Sequence, residues 1–146
     1  MDGSSLYDRD FYAWANEQAA LLRAGKLDAA DIEHIAEEIE SMGRRERREL
    51  LNRLRVLLRH LLVWTCLPSG QCGSWRSAIT GDRKEIEYLL RDSPSLADKL
   101  DDLVAEAYLR ARLDAVIRTG MDEATFPPEC PWSFAEMMDE SFWPDA

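Results

Sequence analysis

No stretch of this sequence is apolar for long enough to cross a bilayer. The longest such run, HLLVWTCL from His60 to Leu67, is under half of the ~20 residues that a spanning helix needs. The first residues, MDGSSLYDRDFYAWA, carry acids rather than a basic stretch followed by an apolar one, so they do not read as an export signal. A cytoplasmic protein is expected. Cysteine is scarce: Cys66, Cys72 and Cys130 cannot all pair within one chain, and a reducing cytosol keeps them as free thiols. There is no Gly-rich phosphate loop and no G-x-S-x-G elbow. Alternating strand patterns and clusters of β-branched residues are missing too. Basic residues are the minority, 18 against 28 acids, for a net charge of −10. Bulk electrostatics therefore oppose binding to a phosphate backbone. From Met121 to Ala146 there are seven carboxylates and no Lys or Arg.

What is present is helical periodicity. The 146 residues, 46% of them hydrophobic, suit one ordinary domain with a single core. A first helix is expected from Tyr7 to Ala24, its stripe made by Phe11, Trp14, Ala15, Gln18, Leu21 and Leu22. Gly25 stands where a left-handed C-terminal residue is needed. A second helix, capped by Asp28 or Asp31, presents Ile32, Ile35, Ala36, Ile39 and Met42. Gly43 is read as its end, because an unbroken run to Leu67 would far exceed the usual helix length. A third helix from Arg44 to Leu67 is apolar on nearly all sides late in its course, as a central bundle helix would be. A fourth starts at Ser74, and a fifth at Ser93 and Pro94, ending near Arg118 and Gly120. After the extended FPPECPW loop, SFAE reads as a capping box for a short last helix. The expectation is all-α: one bundle of about five main helices plus a short C-terminal helix, over residues 1–146.

Charge changes sign inside this pattern. Asp28 to Glu40 holds six carboxylates and no Lys or Arg, whereas Arg44 to Arg59 holds seven arginines against Glu46 and Glu49. Free arginines in that number would make a phosphate-binding surface. A hairpin at Gly43 instead places Glu37, Glu38 and Glu40 beside Arg44, Arg45 and Arg48, a structural ion-pair network that masks them. Such exposed pairs stabilise little individually, but together they fix a register. No nucleic-acid partner is expected, and no membrane.

The metal and thiol readings are weaker. His34, Glu37 and Glu38 lie within one turn, but a carboxylate-bridged metal bundle needs a matching motif on a second helix. His60, the only other histidine, is displaced by eight residues across the proposed hairpin, or ~12 Å along the axis. Cys66 and Cys72 are too far apart in sequence for a tight zinc knuckle, and Cys130 is remote. No cofactor and no catalytic residue is expected. An enzyme would have to draw its pocket from His60, Trp75, Arg76 and Tyr108, residues that in a helical bundle more often serve as structural partners.

Taken in order, LYDRDFYAWANEQAALLRAGKLDAADIEHIAEEIESMGRRERREL, LRVLLRHLL, SWRSAI, SPSL, AYLRAR and FPPECPWSFAEMMDESFWP resemble the bacterial domain of unknown function family 29 over residues 6–144. The resemblance implies a small all-helical bacterial protein, typical of cyanobacteria and proteobacteria. It implies no activity and no cofactor. Val63 departs from it, since a lysine is expected there in relatives.

Two function classes follow. The first is an interaction module whose acidic C-terminal segment offers Trp132, Phe142 and Trp143 to a protein partner, a basic one by charge. Against it stands packing of those aromatics, with Phe134, onto the end of the bundle. The second is the small-molecule or metal enzyme at His60, Trp75, Arg76 and Tyr108. A homodimer formed through a bundle face is compatible with either.

Overall fold

The computed structural model describes residues 5–66 and 73–144. Among them there is no strand, and the fold is all-α. The helices are α1 (Leu6–Arg9), α2 (Phe11–Arg23), α3 (Ile32–Cys66), α4 (Gly73–Asp92), α5 (Leu100–Thr119) and α6 (Phe134–Met138). Short 3₁₀ turns cover Leu27–Ala29, Pro94–Lys99 and Glu123–Thr125. The contacts gather into two compact units, Met1–Arg45 and Glu46–Ala146.

The expected first helix is two. Asp10 interrupts it and caps α2, its carboxylate accepting from the Ala13 amide at 3.0 Å. At the other end Gly25 takes φ of 71°. The Gly25 amide donates to Leu22 and the Lys26 amide to Leu21, a Schellman closure that only a residue at ease in the left-handed region completes without strain.

Gly43 does not end a helix. α3 runs unbroken for 35 residues, so the expected second and third helices are one. A helical glycine costs only about 1 kcal/mol, and the Arg, Glu, Leu and Met that flank it favour helix. No proline removes a hydrogen bond. Length alone was therefore a poor reason for a break. The hairpin that set Glu37, Glu38 and Glu40 beside Arg44, Arg45 and Arg48 is absent. Along one helix, Glu37 and Arg44 lie ~10 Å apart. Among the described residues, Arg44–Glu40 at 3.8 Å is the one ion pair within that set, and both side chains are well exposed.

In the C-terminal unit the core forms around the later part of α3. Leu50, Leu54, Leu57, Leu58, Leu61 and Leu62 are fully buried there. Ile79 and Ile86 of α4 and Leu103, Ala107, Ala111 and Ala115 of α5 complete the core. Arg55 binds Asp114 through two bonds of 2.6 and 2.7 Å, tying α3 to α5. Ser93 precedes the turn at Pro94 as expected but makes no side-chain cap. The closing segment returns to the core. Phe126 and Met137 are buried in it, while Trp132, Phe134 and Trp143 pack against it half-buried. The SFAE capping box is formed, with Ser133 and Glu136 each bonded to the other's amide.

Candidate functional site

The N-terminal unit is an antiparallel helical hairpin held largely by polar bonds. Asp31, the residue before α3, accepts from Trp14 Nε1 at 3.1 Å and lies 2.7 Å from His34 Nδ1. Its amide donates to Gln18 Oε1 at 2.7 Å. The His34 ring stacks on Tyr7, with centroids 4.0 Å apart and planes 10° apart. The Tyr7 hydroxyl donates to Glu38. Their mutual bond lowers the pKa of Asp31 and raises that of His34, and Glu38 pushes the Tyr7 hydroxyl up to about 12. The Asp31–His34 bond favours the charged pair and the Tyr7 phenol stays protonated, which suits clamping α1 to the hairpin rather than taking up protons from a substrate.

Only Trp14 and Gln18 are buried on α2, and no residue before Leu50 is buried on α3. The stripe read from the sequence as core is therefore largely on the surface. Phe11 is 50% exposed, Leu22 41%, Ile39 59% and Met42 53%. These four, with Trp14, Ala15, Ala19 and Ile35, line a groove of about 370 Å³ between α2 and the first part of α3. Its walls are almost wholly apolar, with Glu38 and Arg45 as its charged members.

The residues proposed for an enzyme pocket do not converge. His60 Nδ1 lies 2.6 Å from Asp82, and the Trp75 ring meets His60 edge-on while donating to its carbonyl at 3.1 Å. Arg76 lies instead over the Trp143 ring at 4.4 Å and near that of Trp64. The Tyr108 hydroxyl is committed to the Pro127 carbonyl at 2.6 Å, and burial pushes its pKa up to about 12. Burial also pushes the Cys130 thiol up, away from a reactive thiolate. Cys66 is a free thiol, and Cys72 lies outside the described residues. No group of three or more His, Cys, Asp or Glu among the described residues is arranged to hold a metal ion.

The proposed partner surface is divided. Trp143 is turned inward, its ring 5.0 Å from Trp64. Trp132 and Phe142 line a cavity of about 410 Å³ together with Leu62, Pro131 and Glu136. Of the seven C-terminal acids, the six within the described residues are exposed. Buried charge appears where sequence reasoning did not look, at Asp82 and Arg83 on α4.

No helix among the described residues is long and apolar enough to cross a membrane. No curated protein and no solved structure matches the chain. A family model does match, that of Domain of unknown function DUF29 over residues 6–143, and the chain belongs to this family.

Proposed function

We propose that this is a small acidic bacterial protein of the cytoplasm that acts as a protein-interaction module, taking an amphipathic helix of its partner into the groove of the N-terminal hairpin. One observation carries the reading: Phe11, Leu22, Ile39 and Met42 stay about half exposed along a single apolar trough. Two packed helices bury one seam. A third helix laid along the trough takes the rest out of water. Four half-exposed side chains, each worth on the order of 1 kcal/mol on full burial, support a reversible association rather than an obligate one. Residues 5–45 carry nine carboxylates and five bases, a net charge of −4, so a helix with basic flanks is favoured. Free thiols at Cys66 and Cys130 suit a reducing compartment.

Two labelled peptides test this, one of Leu and Lys at amphipathic-helix spacing and one of Leu and Glu. Fluorescence anisotropy should show tighter binding of the Leu/Lys peptide, and Ile39→Glu with Met42→Glu should weaken it by roughly tenfold or more. That substitution adds negative charge, so unspecific attraction of the basic peptide rises while binding in the groove falls. Undiminished binding to the double variant would overturn the proposal.

A further inference from the structure

The C-terminal unit carries an apolar feature of its own. Leu109, Leu113 and Ile117 on α5 are 57%, 54% and 82% exposed. They stand four residues apart, so they form one straight ridge ~12 Å long. Beside Ile117 lies a cavity of about 300 Å³ lined by Arg59, Asp114 and Arg118. Asp114 is already bound to Arg55. Arg59 Nε is buried without an acceptor, and neither Arg59 nor Arg118 has a carboxylate in ion-pair range among the described residues. This face thus combines an apolar ridge with two arginines that no carboxylate pairs directly among the described residues, Asp114 acting on Arg59 only from farther away.

The hairpin groove has the opposite character. Ala15 and Ala19 stand at the same four-residue spacing between the larger Phe11 and Leu22, leaving room for a ridge. Glu17, Glu33 and Glu37 on the hairpin are exposed and make no ion pair among the described residues. We infer that the helix received by the groove is α5 of a second copy of this chain, with Leu109, Leu113 and Ile117 in the trough and Arg59 and Arg118 against the hairpin's carboxylates. This rests on the groove reading above. The contact is heterologous: the groove of one copy meets a different surface of the next.

That asymmetry supplies the test, run on the full chain by analytical ultracentrifugation. The wild type should gain mass above the monomer as concentration rises, in the weak range on the order of 10–100 µM. Ile39→Glu with Met42→Glu abolishes the groove, and Leu113→Glu abolishes the ridge, so each variant alone should stay monomeric. Mixed in equal amounts they should form a one-to-one pair, because one supplies an intact ridge and the other an intact groove. Arg59→Gln with Arg118→Gln should weaken association and flatten its salt dependence. All these positions lie on the surface or beside a cavity, and circular dichroism checks that each variant folds. If Leu113→Glu does not fold, Leu109→Glu with Ile117→Glu replaces it. A wild type that stays monomeric, or variants that fail to complement, would overturn the inference. A monomeric wild type whose groove still binds the Leu/Lys peptide would remove the second copy and leave the groove reading standing.

Discussion

Arg83 Nε lies 2.7 Å from the Met137 carbonyl oxygen, and Arg83 Nη2 lies 2.8 Å from that of Phe142. One guanidinium on α4 thus fastens both ends of the closing turn. It is 3% exposed, and desolvation lowers its pKa while Asp139 and Glu140 oppose that from farther away. Arg83→Ala removes two charge-assisted bonds and leaves two carbonyls without their donor. A loss on the order of 2–4 kcal/mol is expected in urea unfolding. Lysine should not rescue it, since a single ammonium lacks the planar fork that reaches both oxygens. An unchanged unfolding midpoint in Arg83→Ala would show the segment to be held by its aromatics alone.

Gly43 offers a direct check on the continuity of α3. A methyl group placed there meets nothing within 4 Å, and its φ is not positive. Gly43→Ala should therefore stabilise by up to about 1 kcal/mol. Thermal melting reads the effect as a higher midpoint. A lower midpoint would mean that the chain needs glycine's freedom at that position.

The Asp31–His34 pair sets a pH window for the hairpin. The pKa of His34 is raised, so its contribution is complete below about 6.5 and fades as pH rises through the folded value. The pKa of Asp31 is lowered, so its contribution is complete above about 3.9 and fades as pH falls through the folded value. The hairpin should accordingly be firmest in mildly acidic solution. Amide exchange of α2 followed by NMR would report this. His34→Gln should abolish the alkaline arm and shrink the acid arm to what Trp14 and the backbone amide of residue 34 sustain; an alkaline arm that persists would assign it elsewhere.

The arginine-rich stretch of α3 should bind duplex DNA and RNA weakly at physiological salt. The reason differs from the one the sequence suggested. Arg47 is paired with Glu106, Arg53 with Glu49 and Arg55 with Asp114, so α5 and α3 itself supply the carboxylates. Micromolar binding in an anisotropy titration, lost on replacing Arg47 and Arg53, would count against this pairing.

Much of the fold was legible because short-range rules decide it. Gly25 and Gly120 both adopt the left-handed conformation expected at a helix end. The capping box at Ser133 and the return of Trp132 and Trp143 followed from local chemistry and from apolar area. The continuity of α3 is also written in the sequence, although the length of the run argues the other way. Eight residues, two helical steps of four, separate Met42 from Leu50, so the stripes on either side of Gly43 share a phase. The groove was not legible for another reason. An amphipathic stripe says which face is apolar but not whether the same chain covers it. The buried Arg83 was hidden as well, because its acceptors are carbonyls more than 50 residues away rather than a carboxylate at a recognisable spacing.

The 59-position separation of Arg55 and Asp114 also matters while the chain is being made. At roughly 5–20 residues per second, α5 follows the leucines of α3 by about 3–12 seconds. The hairpin needs no such delay, since its bonds join residues no more than 31 apart, as Tyr7 and Glu38 are. It can therefore close on the ribosome first, while Leu50 to Trp64 still wait for α4 and α5. That interval is when a nascent-chain chaperone has most to hold. Slowing translation between α4 and α5 should cost more soluble protein than slowing it anywhere in the hairpin.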